Sequence, residues 1–356
     1  MERRTRTRVA SVVVSLLVVL AALEIGLRIY LFRFADEDRL TKYARFDDLP
    51  PEAYMYRGHA YLDYCLNESY RSRDGLNRHD RLGFRGREVE VDKAPGTYRI
   101  VCVGGSTTYT TEVKDFRLSY PDQLERSLKE RHGRADVEVI NAGVGGWSSY
   151  ECLIDVELRL LALHPDLLVV YHGINDCYPR FVPPELYRRD NSGHVRPWNP
   201  DTRPWEHSVL LRCAAVRLGI ARPNTLQGLV HIEYPDIDLD ACLDANPPTY
   251  FADNLESTIA VAHHAGVQVL LATFAFCDAK KQYVSLPAYQ RAIREANDVI
   301  RGAAARNDVP LLEFSSAMDP DPRLWADGVH VNAEGARVMA DLFADAIAKL
   351  VQVARK

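Results

Sequence analysis

The chain has 356 residues, and its balance of 47% hydrophobic and 26% charged residues excludes a disordered, collagen-like or multi-span membrane protein. Its 44 basic and 49 acidic residues give a formal net charge of −5, and no long Lys/Arg block follows the first few residues, which argues against nucleic-acid binding. The seven cysteines form no CxxC pair and no metal-ligand spacing, so neither a disulfide framework nor a metal site is expected.

The N-terminus has the pattern of a membrane anchor. Four arginines within the first eight residues precede an apolar run over residues 9–23. The run continues to residue 32 with a few charged residues, among them a possible Glu24–Arg28 ion pair. A helix over residues 9–31 would be about 34 Å long, enough to cross a hydrocarbon core with some tilt. The arginines predict a cytoplasmic N-terminus and an extracytoplasmic location for everything after about residue 34. A cleaved signal peptide is the alternative, but no convincing small-x-small cleavage site follows the run, so we expect an uncleaved single-pass anchor.

The chain after the anchor changes character at about residue 96. Residues 35–95 are rich in Arg, Asp and Tyr, carry the sequence Gly83-Phe84-Arg85-Gly86, and are interpreted as a juxtamembrane lead-in that becomes ordered against the main domain. Short apolar strands then alternate with helices, which predicts a parallel sheet covered on both faces. The predicted strands cover residues 98–103, 137–140, 167–171, 267–276 and 309–314, and the predicted helices cover residues 120–131, 149–163, 251–264, 288–306 and 333–351.

Between residues 178 and 248 this alternation is interrupted. The segment has many prolines, Trp198, Trp205 and mixed charges, with one helical patch near residues 208–220. About 70 residues are too many for a simple connection, so the segment is expected to form a cap over one end of the sheet. Its aromatic side chains could bind a sugar or an acyl chain, or form the core of the cap. The expected organisation is an anchor over residues 1–34, the lead-in, and a domain over residues 96–356 that contains this insertion.

Four polar clusters fall at predicted strand ends or in the last loop, where an open parallel sheet binds its ligand. They are Gly104-Gly105-Ser106-Thr107-Thr108, Asn141-Ala142-Gly143-Val144-Gly145-Gly146, Gly173-Ile174-Asn175-Asp176 and Asp327-Gly328-Val329-His330. The first could present a hydroxyl, cradle a phosphate or simply turn, but it lacks the lysine of a phosphate loop and the final glycine of Gly-x-Ser-x-Gly. The second and third could be a flexible turn and an Asx turn or helix cap. In the fourth, Asp327 could accept from one imidazole nitrogen of His330 and leave the other free as a base.

The combination of these clusters resembles the SGNH/GDSL hydrolase superfamily. The second, third and fourth clusters match its motifs closely, whereas Gly105 stands in place of the usual aspartate before Ser106. That replacement, the N-terminal anchor and the Gly-Phe-Arg-Gly sequence are similar to a bacterial, membrane-anchored branch of the superfamily. The resemblance covers residues 98–176 and 267–351, and it implies a three-layer α/β/α fold with a flavodoxin-like parallel sheet.

The same resemblance implies roles for individual residues. Ser106 would be the nucleophile, His330 the general base and Asp327 its orienting carboxylate. The backbone N–H groups of Ser106 and Gly146 and the side chain of Asn175 would form the oxyanion hole. The implied function is ester hydrolysis through an acyl-serine intermediate, without a metal or organic cofactor. Acetyl groups on envelope or extracellular polysaccharide and lipid esters are the substrates that the resemblance suggests.

Two other functions fit the same residues. An O-acyltransferase would pass the acyl group to a sugar hydroxyl instead of water. A catalytically silent glycan-binding or assembly protein would keep the fold, although the intact set of site residues argues against it. Three further histidines are expected to be structural: His172 before the third cluster, and His263 and His264 at the end of a predicted helix.

Overall fold

The computed structural model describes residues 2–198, 200 and 203–354. The N-terminal segment is a long helix. This helix, α1 (Glu2–Ile29), continues in a π-helical turn over Tyr30–Phe34. Among the described residues, Thr5–Phe34 is the one helical segment long and apolar enough to cross a membrane, and a signal sequence would pass the same test. The predicted apolar helix is therefore present, and the predicted Glu24–Arg28 pair forms at 3.2 Å.

The lead-in contributes to the core of the main domain. It contains α2 (Glu37–Tyr43) and an antiparallel hairpin of β1 (Tyr56–Gly58) and β2 (Tyr64–Leu66). Phe84 and the hairpin residue Tyr64 are each only 1% exposed and belong to the same hydrophobic cluster as the central strands. Burial of these apolar side chains, rather than regular secondary structure, orders the lead-in.

The described residues form one parallel sheet of five strands. They are β3 (Tyr98–Gly104), β4 (Val137–Gly143), β5 (Leu167–Tyr171), β6 (Gln268–Ala272) and β7 (Leu311–Leu312). The strands lie in the order β4-β3-β5-β6-β7, which is the flavodoxin-like order of a doubly wound sheet. The central strands β3 and β5 are buried along almost their whole length, as strands covered on both faces must be.

Helices cover both faces of this sheet and confirm the predicted α/β class. After α2 they are, in chain order, α3 (Ser106–Tyr109), α4 (Tyr120–His132), α5 (Ser149–Asp155), α6 (Ile174–Cys177), α7 (Val209–Arg217), α8 (Leu226–Val230), α9 (Leu239–Ala245), α10 (Thr249–His264), α11 (Pro287–Asn307), α12 (Phe314–Ala317) and α13 (Ala333–Ala354). Helix α4 packs against α13, and α10 packs against α5 and α11. The predicted cap over residues 178–248 contains α7, α8 and α9.

Three strands differ from the prediction by more than one residue in length. β4 runs on to Gly143, where a glycine is needed because a β-carbon would lie 2.2 Å from the backbone nitrogen of Tyr109. β6 ends at Ala272, because the backbone N–H and C=O of Phe274 pair with the side chain of Asn297 instead of a neighbouring strand. β7 is reduced to two residues, since α12 begins at Phe314.

Candidate active site

The turn between β3 and α3 presents Ser106 at the carboxyl end of the sheet. A β-carbon at Gly104 would lie 2.3 Å from Thr108 Oγ1, and one at Gly105 would lie 2.3 Å from Asn175 Nδ2. Both positions therefore need glycine so that the turn can pack closely against its neighbours. The replacement of the usual aspartate by Gly105 has a local reason, because the space that a side chain would occupy is filled by Asn175.

Ser106, His330 and Asp327 are connected by two short hydrogen bonds. Ser106 Oγ lies 2.8 Å from His330 Nε2, although 224 positions separate the two residues in the chain. On the other side of the ring, His330 Nδ1 lies 2.7 Å from Asp327 Oδ2. A neutral imidazole that donates from Nδ1 to the carboxylate leaves Nε2 as an acceptor, so this arrangement can take a proton from the serine hydroxyl.

The carboxylate of Asp327 is held in place by its own turn. Its Oδ1 atom accepts hydrogen bonds from the backbone N–H groups of Val329 at 2.8 Å and His330 at 2.7 Å. Burial acts to raise the pKa of Asp327, but the hydrogen bond and charge of His330 and the two N–H donors outweigh it and leave the pKa below its ordinary value. Asp327 therefore stays ionised at neutral pH and fixes the orientation of the imidazole.

The three predicted oxyanion donors lie around one cavity with Ser106. Gly146 has a φ of +82°, and a β-carbon there would lie 2.5 Å from Tyr64 Oη, so a glycine fits this position best. Asn175, at the start of α6, donates from Nδ2 to the backbone oxygen of Trp147 at 2.8 Å. Because an amide nitrogen carries two hydrogens, this bond fixes the side chain and leaves a second donor.

Asp176 and His172 lie behind the site and do not line the cavity. Asp176 Oδ1 accepts from the backbone N–H of Ser149 at 2.9 Å and from its hydroxyl at 2.6 Å, which ties the end of β5 to the start of α5. Burial raises the pKa of Asp176 to about 7 and lowers the pKa of His172 to about 4. Both are structural groups, in agreement with the interpretation of His172; His263 and His264 end α10, as predicted.

The cavity in front of Ser106 has a volume of about 710 Å³, and most of its lining residues lie outside the four predicted clusters. Outside the predicted clusters, its aromatic and histidine side chains come from the lead-in, from the cap and from the start of α11 with the segment before it: Tyr56, Tyr178, Phe181, His194, His231, Tyr234, Tyr283 and Tyr289. His194 stacks on Tyr178 with 5.7 Å between ring centroids, and His231 lies 5.1 Å from His194. Burial lowers the pKa of His194 to about 3 and that of His231 to about 4, so both rings are neutral at physiological pH.

Glu112 is a further carboxylate at this site that the sequence did not indicate. Among the described residues, Glu112, Asp327 and His330 form one group whose ligand atoms lie within 4.8 Å of one another. Carboxylate and imidazole could bind a divalent cation. A cation here would compete with Ser106 for His330, so these residues fit proton transfer better than resident metal binding.

Comparison with known proteins shows the family to which the chain belongs. A family model described as "GDSL-like Lipase/Acylhydrolase family" matches residues 102–338, about two thirds of the chain. No curated protein matches the chain in sequence.

Solved structures similar to this chain include three hydrolases. A GDSL-like lipase from Bacteroides thetaiotaomicron is 18% identical, with 71% of this chain and 89% of that chain covered and a TM-score of 0.41. The lipase/acylhydrolase from Enterococcus faecalis is 20% identical, with coverage of 71% and 97% and a TM-score of 0.45. An acetyl xylan esterase from Geobacillus stearothermophilus is 14% identical, with coverage of 70% and 94% and a TM-score of 0.46. By the extent of its family match, the chain belongs to the GDSL-like lipase/acylhydrolase family.

Proposed function

We propose that the protein is a serine esterase in which Ser106, His330 and Asp327 form the catalytic triad. The observation that carries the proposal is the pair of hydrogen bonds from Ser106 Oγ to His330 Nε2 at 2.8 Å and from His330 Nδ1 to Asp327 Oδ2 at 2.7 Å. A serine hydroxyl is a weak nucleophile until a base within hydrogen-bond distance removes its proton. The same nitrogen can then return the proton to a leaving alcohol.

The proposed reaction has two steps that use the same base. Ser106 Oγ attacks the ester carbonyl while His330 Nε2 takes its proton, and the carbonyl oxygen becomes an oxyanion near Gly146 and Asn175. Collapse of this intermediate breaks the ester C–O bond, His330 protonates the alcohol, and the acyl group stays on Ser106. Water then attacks the acyl-serine while His330 takes its proton. The bond between the acyl carbon and Ser106 Oγ breaks, His330 returns the proton to Oγ, and the acid is released. Each oxyanion donor contributes on the order of 2.7–4 kcal/mol to the stabilisation of the transition state.

The lining of the cavity supports a glycan ester as substrate. Aromatic rings such as Tyr56 and Tyr283 offer flat apolar faces, and the neutral rings of His194 and His231 offer hydrogen-bonding nitrogens. A sugar ring presents both an apolar face and hydroxyl groups. Acetyl groups on envelope or extracellular polysaccharide therefore fit this cavity, and lipid esters are the alternative class.

Hydrolysis of p-nitrophenyl acetate by the full-length protein in detergent tests the proposal. Ser106→Ala should abolish turnover, whereas Ser192→Ala, which changes an exposed cap serine, should retain it. Full activity in Ser106→Ala, or loss of activity in Ser192→Ala, would contradict the assigned triad.

Acceptor competition separates hydrolysis from acyl transfer. An esterase gives acetate in a constant ratio to nitrophenol when a sugar alcohol is added in excess. An O-acyltransferase gives less acetate and an equivalent amount of acetylated sugar, because the sugar captures the same acyl-enzyme.

A further inference from the structure

A second, smaller hydrophobic core lies apart from the sheet and joins the membrane-helix candidate to the cap. Its buried members come from the turn after α1, from α2 and its C-cap, and from α7: Leu31, Ala35, Leu40, Ala44, Val209 and Cys213. Arg212 of α7 is 2% exposed and donates to the backbone oxygens of Tyr43 at 3.0 Å and Ala44 at 3.1 Å. Helix α7 is therefore fixed to the segment where the chain leaves α1.

Polar contacts fix the position of α7 along the axis of α1. The carboxylate of Glu24 accepts from Ser208 Oγ at 2.8 Å and from the backbone N–H groups of Val209 at 3.0 Å and Leu210 at 2.9 Å. Arg28, one turn further on, donates to the backbone oxygen of His207 at 2.7 Å. The first turn of α7 thus lies level with residues 24–28 of α1.

This position along α1 places α7 at the boundary of any bilayer that α1 crosses. The uncharged, mostly apolar run over residues 9–23 gives a helix of about 22 Å, which is shorter than a hydrocarbon core of about 30 Å. If the boundary lies at Glu24, the first turn of α7 lies among the lipid headgroups. If the span extends to Leu31, that turn lies inside the hydrocarbon region. Both placements bring α7 into contact with lipid.

The outward surface of α7 has the composition that such a position requires. Its inner face packs Val209 and Cys213 into the small core, yet Leu211 and Leu218 are 52% and 73% exposed. Leu211, the exposed Ala214 and Leu218 follow the i, i+3, i+7 spacing of one helix face, and Ile220 just beyond it is 63% exposed. A helix that is apolar on two faces needs a second apolar environment.

We propose that α7 is a membrane-surface helix, and that Leu211, Leu218 and Ile220 insert between the lipids of the bilayer that α1 crosses. The exposed guanidinium of Arg217, next to Leu218, reaches the phosphates of anionic lipids. The proposal depends on the membrane-spanning role of α1. Because the same cap lines the cavity of the site through Leu226 and His231, this second contact holds the opening of the site close to the membrane surface.

The test measures membrane depth in the full-length protein reconstituted into phospholipid vesicles. Each sample carries one introduced cysteine labelled with an environment-sensitive fluorophore, and all seven native cysteines are buried free thiols that label poorly. Leu218→Cys reports on α7. Leu17→Cys reports on α1, and Leu158→Cys, 66% exposed and outside the small core, reports on the exposed surface of the main domain.

We expect the fluorophore at position 218 to emit at shorter wavelength and to lose most of its intensity when brominated lipids replace ordinary ones, as at position 17. The fluorophore at position 158 should show neither effect. Quenching at position 17 with none at position 218 overturns the membrane-surface role of α7 and leaves the anchor intact. Absence of quenching at both positions overturns the anchor, and the proposal with it.

Discussion

Gly105 determines how closely the turn after β3 approaches Asn175. The aspartate that is usual at this position in the superfamily would need space that Asn175 Nδ2 occupies, only 2.3 Å from where a β-carbon would stand. Asn175, the proposed oxyanion donor, and Gly105, the residue before the proposed nucleophile, are therefore coupled by packing. A change at Gly105 should act through the position of Asn175.

For Gly105→Ala we predict a fall in kcat of about 10²-fold or more with little change in KM, because displacement of one oxyanion donor weakens binding of the transition state. Steady-state kinetics on p-nitrophenyl acetate measure both constants. Gly302→Ala is the matched control, because its new methyl group meets only the flexible end of Arg306 on α11. Equal kcat in Gly105→Ala and the wild type would show that Asn175 is not the donor.

Asp176 should make stability depend on pH. Burial raises its pKa to about 7, against about 3.9 for an ordinary aspartate, so the folded state favours the protonated form. The stability that the folded state gains from protonated Asp176 is complete below about pH 4 and is lost as the pH rises toward 7. We predict that Asp176→Asn, which cannot ionise, gains unfolding free energy relative to the wild type over this interval.

Chemical denaturation at a series of pH values measures this difference. Asp253→Asn changes an exposed carboxylate on α10 and should follow the wild-type curve. His172, whose folded-state pKa is lowered to about 4, contributes stability that is lost on acidification in the wild type and in Asp253→Asn. His172 Nδ1 lies 3.7 Å from Asp176 Oδ2, so Asp176→Asn also changes the surroundings of this ring. Parallel curves for Asp176→Asn and the wild type would contradict the predicted ionisation.

At the level of elements, the Gly-Phe-Arg-Gly segment stabilises the part of the chain that follows Ser106. Arg85 is 3% exposed and donates to the backbone oxygens of Tyr109, at the end of α3, and of Thr110 and Val113 just after it. Its Nε atom also donates to Asn77 Oδ1 at 2.9 Å. One residue of the lead-in thus satisfies several buried carbonyl groups beside the site.

We predict that Arg85→Met lowers the free energy of unfolding by about 2–4 kcal/mol, because buried carbonyl groups lose their donor. Arg85→Lys should recover only part of this loss, since one ammonium group cannot match the planar array of guanidinium donors. Denaturant unfolding gives the values. Arg81→Met, at an exposed arginine of the same segment, should leave stability almost unchanged. Unchanged stability in Arg85→Met would show that water replaces the guanidinium.

The elements that sequence patterns predicted are those with regular local signals. Strands β3 and β5 are continuous apolar runs, and the site residues stand directly at strand ends or in the last loop, where a parallel sheet collects them. The ends of β6 and β7 could not be predicted, because Phe274 leaves the sheet through a contact with the distant Asn297. The place of His194 and His231 in the cavity lining could not be predicted for the same reason, since both lie in a proline-rich segment without periodicity and acquire their position from tertiary packing.

At the scale of the whole molecule, the sequence predicts how the protein is oriented in the membrane. The arginines before α1 predict that the N-terminus lies in the cytoplasm and the hydrolase domain outside it. We predict that Leu158→Cys reacts with a membrane-impermeant maleimide when spheroplasts that express the protein are intact. Thr7→Cys should react only after permeabilisation. The reverse pattern would place the domain in the cytoplasm.

The central claim is that His330 and Asp327 activate Ser106, and covalent labelling tests it without knowledge of the substrate. The full-length protein would be treated with a fluorophosphonate, digested and examined by mass spectrometry, with Ser106→Ala and Ser192→Ala in parallel. We predict one adduct on Ser106 in the wild type and in Ser192→Ala, and none in Ser106→Ala. A folded wild type that takes up no label, or labels on another serine, would contradict the account and favour a catalytically silent binding protein.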